Sequence, residues 1–504
     1  MAALELFTIG DSVSQGFQSG AAARPDQAYS TLLARKLGIA GYATPEFPAG
    51  GFFLPMEPML RALERKHGAD VSGLEWAAAI GTLNEALDEG EDYYERGGGS
   101  VGTPNAPPAA WYPNVSCYGF QAADAWLLSA KSCHDQVLSA GGSGDGVLTG
   151  AAQPFYRNAL RVLSPDRQLG ALNPGMYAGA LAGIEPRSQL DWLLFHARTT
   201  GVRDVVLWLG ANNCLGTVFD LDVRWSGGDG AAHRMGHFER AAKKWNLWWP
   251  ADFEAEYAQL LAYVDVIMKG HNAEKDWRVF VGNVPYVTIA PLIKGVGGST
   301  FVSRPGRQGG HYFKYYTYFP FEEDFARTST RQLTIQEAIQ IDDTIAEYNG
   351  AIALAAAALN GAHGSDRYVV VDFCEVLRSA AWKRNGGNPT YRFPAYFGRI
   401  TPRPDTKYYH ADIGGRVRQG GLFSLDGVHP SALGQGIIAH ELLEAMKRAG
   451  RASPGLAFDD RDWAAIHASD SLLARPIRVM HEIYGRDELA KAVIGAISLF
   501  GVRL

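Results

Sequence analysis

The run Leu4-Glu5-Leu6-Phe7-Thr8-Ile9-Gly10-Asp11-Ser12 decides how the rest of the chain is read. Its first six residues form a short, largely apolar stretch that stops at a glycine, the signature of a strand in a buried sheet. A strand that turns through Gly10 sets Ser12 at its carboxyl end, the edge where α/β sheets hold ligands. The hydroxyl then faces that edge, and the amide beside it is placed to serve an oxyanion. Taken alone, Gly-Asp-Ser is equally the start of a capped helix.

Short runs of the same kind recur at wide intervals, at Pro113 to Ser116, Val205 to Leu209, Val279 to Val281 and Val369 to Phe373. Helical patterns fall between them, at Phe120 to Ala130, Ser188 to Arg198, Asp252 to Lys269 and Thr334 to Leu359. In the last of these Ile335, Ala338, Ile341, Ile345 and Tyr348 keep a rough helical period. Pro430 opens another amphipathic helix carrying Ile437, Ile438, Leu442, Leu443 and Met446. Strands alternating with long helical stretches predict an α/β fold around a five-stranded parallel sheet. Such a sheet with its covering helices needs only about 200 residues. The remainder is expected in loop insertions at about 219–250, 294–334 and 379–421, each mixing Gly, Pro and aromatics. Loops of that length act as lids or binding surfaces. One elaborated domain is expected over 1–450, followed by a helical extension over 451–504.

Composition bounds the function. With 504 residues, 47% hydrophobic and 20% charged, the chain has ample material for a core and no bias towards disorder. The formal net charge of -6, from 47 basic and 53 acidic residues, leaves no concentrated basic surface, so nucleic acid is excluded as a partner. Cys117, Cys133, Cys214 and Cys374 contain no CxxC pair, so neither a zinc cage nor a disulfide framework is indicated. They read as small buried apolar residues, with one or two disulfides left open. No apolar run approaches the roughly 20 residues of a membrane span. The stretch Leu489 to Leu504 reads as an amphipathic helix. Docking on the body is favoured over peripheral membrane contact, because a strongly basic polar face is missing. The N-terminus lacks a basic start and apolar stretch, which reads as cytoplasmic for a chain beginning at Met1, or as secreted or periplasmic if a leader has been removed.

Three further constellations carry chemistry. In Asp426-Gly427-Val428-His429-Pro430, three residues separate a carboxylate from an imidazole on a turn before a helix. That spacing lets the acid hold the ring in one tautomer, although a capping Asp beside an exposed His has the same spelling. In Trp208-Leu209-Gly210-Ala211-Asn212-Asn213, at the end of a predicted strand, a side-chain amide is positioned to donate to developing negative charge without titrating. A turn asparagine is the plainer alternative. In Asn114-Val115-Ser116-Cys117-Tyr118-Gly119, glycine allows close approach of a backbone N–H to a ligand.

Gly10-Asp11-Ser12, Gly119, Gly210-Ala211-Asn212 and Asp426-Gly427-Val428-His429, in that order and each after a predicted strand, resemble the SGNH (GDSL) hydrolase family. The likeness spans residues 1 to about 450. Gly282-Asn283-Val284-Pro285-Tyr286-Val287-Thr288 is similar to the segment after the fourth strand in bacterial lipase-like members. The resemblance implies a three-layer flavodoxin-like SGNH fold. It implies Ser12 as nucleophile, the Ser12 amide with Gly119 and Asn212 as oxyanion donors, and His429 with Asp426 as base and orienter, without cofactor or metal. Two positions depart from the family pattern. Val13 replaces the leucine after Gly-Asp-Ser, a conservative change, and Asn213 replaces the aspartate of Gly-x-Asn-Asp, which removes a carboxylate from the loop.

Rival motifs are missing. No Gly-x-Ser-x-Gly elbow occurs. His440-Glu441 and His481-Glu482 lack the second histidine of a zincin, and Gly97-Gly98-Gly99-Ser100 lacks the Lys-Ser/Thr ending of a phosphate loop. The expected activity is carboxylic ester hydrolysis, with a small-molecule or lipid ester as partner. Aromatic insertions such as His311 to Phe319 fit a lid over an acyl chain or a platform for a sugar ring. A carbohydrate acetyl esterase, an acyltransferase on the same site, and a scaffold that binds lipid or peptide without turnover are the alternatives.

Overall fold

The computed structural model describes residues 3–47, 51, 53–71, 76–96, 112–140, 150–163, 187–304 and 306–485. The strands among them are β1 (Leu4–Gly10), β2 (Val202–Trp208), β3 (Arg278–Gly282), β4 (Ile293–Arg304), β5 (Arg307–Tyr318), β6 (Leu333–Thr334), β7 (Tyr368–Val371), β8 (His410–Ala411) and β9 (Val417–Gln419). The fold is mixed α/β. A parallel sheet of four strands has the order β1-β2-β3-β7, and smaller antiparallel sheets are built from β4-β5-β6 and β8-β9. Burial is unbroken over the last five residues of both β1 and β2. That is why their sequences run apolar without alternation.

The chain forms two compact units, one of residues 1–120, 124–207 and 263–277, the other of 121–123, 208–262 and 278–504. In the first, Leu6, Phe7, Ile9, Leu33, Leu193, Val205 and Leu207 are core residues. The expected helix at Ser188 is present over Gln189–Thr199, held by a capping box between Ser188 and Asp191. Helices at Met56–His67, Trp76–Arg96 and Pro154–Leu163 were not anticipated from the sequence. The expected strand Pro113 to Ser116 is reduced to a single parallel bridge, Asn114 against Thr8, flanked by bonds from Thr8 N to Pro113 O and from Cys117 N to Gly10 O. Proline has no N–H for a ladder, and such residues sit at sheet margins.

In the second unit the helix expected from Thr334 runs over Ile335–His363 behind a Thr334/Glu337 capping box, and Ser431 caps Ala432–Arg448. The segment 294–334, read as a loop insertion, instead folds into the β4-β5 hairpin with β6 alongside. Its aromatic run is therefore not an open platform. Tyr312, Tyr316 and Tyr318 are buried. Tyr312 donates to Asp342 at 2.8 Å, and Asp342 also accepts from Thr288 at 2.6 Å and pairs with the buried Arg384 at 2.8 Å. Enclosed charges need such saturation, because each unpaired member would carry its full desolvation cost.

The helix expected over Phe120 to Ala130 is also corrected: a short turn at Asp124–Leu127 precedes a helix at Ala130–Ala140. The N–H groups of Ala122 and Ala123 bond to the side chains of Asn213 and Glu256, so residues 120–123 do not make a regular helical turn. The extension after 451 carries helices at Asp460–Ser469, Ser471–Ala474 and Met480–Gly485. Residues 97–100 and 489–504, for which a loop and an amphipathic helix were expected, lie outside the described residues. All four cysteines are free and buried, and burial pushes the thiols of Cys117, Cys133 and Cys374 up. No helix among the described residues is long and apolar enough to cross a membrane.

Candidate active site

Ser12 and Gly119 belong to the first unit, and Asn212, Asp426 and His429 to the second. At the end of β1, Asp11 accepts from Val13 N at 3.1 Å and caps the single turn Ser12–Gln15. The capped-helix reading of Gly-Asp-Ser therefore holds, with Asp11 as the cap and Ser12 as the first helical residue. Gly16 closes the turn at φ +84°, where a side chain would collide with the Arg24 carbonyl. Ser12 is buried.

Polar side chains that the sequence reading did not single out hold this turn. Gln15 accepts from Tyr118 N at 3.0 Å and donates to Asn158 at 2.9 Å. Asn114 donates to Ser14 O at 2.7 Å and accepts from Ser116 N at 3.0 Å. Gln189 donates to Gly10 O at 2.9 Å and to Val115 O at 2.8 Å. The Ser12 turn and the loop bearing Gly119 are thereby joined by side chains as well as backbone. Gly119 has φ +77°, the left-handed region that only glycine enters without strain.

In the second unit Gly210, at φ +114°, leads from β2 into the 3-10 turn Ala211–Asn213. A Cβ on Gly210 would lie 2.9 Å from Val284, so glycine is required for space as well as for conformation. Asn212 is buried within that turn. Asn213 is fully buried and bonded on both sides. It accepts from Ala122 N at 3.1 Å and donates to Glu256 at 3.1 Å. The same Glu256 oxygen accepts from Ala123 N at 2.8 Å, and the other accepts from Arg240 at 2.7 Å. Glu256, on the helix Pro250–Gly270, thus sets a buried carboxylate against the Asn213 side chain and anchors the loop.

Asp426 and His429 are brought together. His429 Nδ1 lies 3.0 Å from Asp426 Oδ2, with both side chains buried. Asp426 Oδ1 accepts from Val428 N at 2.9 Å and from His429 N at 2.8 Å. Burial pushes this carboxyl up, but the charge of His429 and the hydrogen bonds to its ring and backbone outweigh that effect and hold it below the ordinary value. Gly427, at φ +67°, allows the tight turn, and a side chain there would bring Cβ to 2.7 Å from Leu292 N. The alternative of an exposed His beside a capping Asp does not hold, since His429 is buried.

Asn283, in the segment likened to lipase-like members, donates to Asp372 at 2.7 Å and accepts from Cys374 N at 2.8 Å, tying the end of β3 to the end of β7. Its role here is to hold two strand ends together. No protein-family model matches the chain, and no curated protein matches its sequence.

Proposed function

We propose that this chain is a serine ester hydrolase of the SGNH type, with a flavodoxin-like sheet in which the Asn114 segment takes the fifth strand's place beside β1. The observation that carries the reading is the buried Asp426–His429 pair, 3.0 Å apart, with the carboxylate fixed by two backbone N–H groups. An acid so held donates no proton itself. It fixes the ring with Nδ1–H towards the carboxylate and stabilises the imidazolium that forms during turnover.

Nε2 of His429 takes the proton from Ser12 Oγ as the oxygen attacks the ester carbonyl. The tetrahedral oxyanion is met by the amides of Ser12 and Gly119 and by the Asn212 side chain. Collapse of that intermediate breaks the ester C–O bond, and His429 returns the proton to the leaving alcohol. Water, deprotonated by His429, then attacks the acyl-serine, and the acid leaves as Ser12 regains its proton. A lipid or fatty ester is the first substrate choice, followed by an acetyl group on carbohydrate. Hydrolysis of 4-nitrophenyl acetate, butyrate and octanoate tests the reading. Turnover that disappears in Ser12→Ala supports it, and equal turnover by Ser12→Ala and the natural chain contradicts it.

A further inference from the structure

The second unit carries a half-open cavity of about 370 Å³. Five aromatic rings line it, those of Phe313, Phe319, Trp382, Tyr408 and Tyr484. Its basic lining residues are Lys294, Lys383 and Lys407, and among the described residues no carboxylate lines it. Phe319 and Tyr408 stack with centroids 3.3 Å apart and nearly parallel planes. The Lys383 amine is committed to the wall, donating to the carbonyls of Thr288, Ala290 and Ile293.

Lys407 differs. Its amine lies 4.5 Å from the centre of the Trp382 ring and a loose 3.9 Å from Asp405. The Asp405 carboxylate is itself bonded to the N–H groups of Lys407 and Gly420, at 2.8 and 2.9 Å. Lys294 reaches outward to Glu322, whose side chain is 81% exposed, and an ion pair so open to water holds its lysine only weakly. The volume is at the small end of ligand sites, the size of one or two rings rather than a long chain.

We propose that this cavity binds a small aromatic anion, its ring stacked among Trp382, Tyr408 and Tyr484 and its carboxylate met by Lys407. Rings recognise rings by offset or edge-on contact, and a preplaced ammonium in an apolar wall selects an anion over a neutral isostere. Tyr408 also joins the cavity wall to the turn that precedes the proposed base. Tyr408 donates to the carbonyl of Leu425, and a Cβ on Gly427 would lie 2.9 Å from the Tyr408 ring. On the ester-hydrolase reading, this site lies apart from the reacting ester, because neither Ser12 nor His429 is among its lining residues. The binding site itself does not rest on that reading.

Calorimetric titration of the full chain with 2-naphthoate, 2-naphthamide and octanoate tests the proposal. It predicts 2-naphthoate bound about tenfold or more tighter than either of the other two. Lys407→Met should remove the preference for naphthoate over the amide, and Lys407→Arg should keep it. Trp382→Leu should weaken naphthoate severalfold. Equal affinity for acid and amide, octanoate binding as tightly as naphthoate, or an undiminished preference in Lys407→Met would each overturn it. The titration is repeated on Ser12→Ala, where it must give the same affinities. Loss of naphthoate selectivity then counts against this site alone, and loss of ester turnover in the natural chain counts against the hydrolase reading alone.

Discussion

Replacing Glu256 with glutamine asks how far a buried carboxylate from a helix distant in sequence anchors the loop that carries Asn212 and Asn213. Glu256 accepts three hydrogen bonds, from Ala123 N, Asn213 and Arg240, and its side chain and that of Arg240 are 0% and 2% exposed. Glutamine keeps the shape and one carbonyl acceptor, so the contacts to Ala123 and Asn213 survive in part. It removes the counter-charge, and breaking a buried pair from one side costs about 3–5 kcal/mol. The retained acceptor places this case near 3 kcal/mol. For a unit of roughly 285 residues, an unfolding entropy of about 0.6 kcal/mol per kelvin converts that cost into a midpoint lowered by about 5 °C. Arg240→Met alone should also destabilise, while the double variant should cost clearly less than the two single changes summed, because no unpaired charge remains. Ester turnover in Glu256→Gln should fall about tenfold, equivalent to about 1.4 kcal/mol, as Asn212 loses its neighbour's anchor. Thermal melts and initial rates on the four proteins read both effects. A Glu256→Gln protein that melts within a degree of the natural chain, or strict additivity in the double variant, would refute the reasoning.

Two other outcomes follow from the same geometry. Asp426→Asn preserves the shape of the turn but presents an amide to Nδ1, favouring the wrong tautomer. The corresponding change in a serine-protease triad lowers kcat about 10⁴-fold, and on the proposed ester-hydrolase function a loss of comparable order with little change in KM is expected from steady-state rates. His196, buried beside Phe7 and Trp192, has its pKa lowered to about 4 by burial and then by the charge of Arg187. Between pH 6.5 and about 4 the unfolded chain therefore binds a proton that the folded chain does not. Stability should fall as pH is lowered through that window, by up to about 3 kcal/mol. Melting points measured from pH 7 to pH 4.5 should show a shallower decline in His196→Gln than in the natural chain.

What was legible in the sequence was local. A carboxylate and an imidazole three residues apart can meet across one turn, so Asp426 and His429 could be paired from their spelling, and a strand ending in Gly10 delivers Ser12 to its end. Apolar spacing likewise announced the helices over Ser188 to Arg198 and Thr334 to Leu359, and Pro430 the one that follows it. What was not legible depends on contacts distant in sequence. Glu256 lies 43 residues from Asn213, and Gln189 lies 179 from Gly10. Nothing in their own neighbourhoods marks either as more than an ordinary helical polar residue. The β4-β5 hairpin was overlooked because its aromatics suggested a binding surface, although Pro305-Gly306 between two runs rich in strand formers is a turn signal. Helix was expected over Phe120 to Ala130 from apolar spacing alone, and the side chains of Asn213 and Glu256 claim N–H groups at its start.

The central claim is that Ser12 is a nucleophile activated by His429. Incubation of the full chain with a fluorophosphonate probe, followed by proteolysis and mass spectrometry, tests it most directly. The account predicts one adduct, on the peptide containing Ser12, that is abolished in Ser12→Ala and forms far more slowly in His429→Ala. An unmodified Ser12 peptide, or an adduct on another serine that persists in Ser12→Ala, would contradict it.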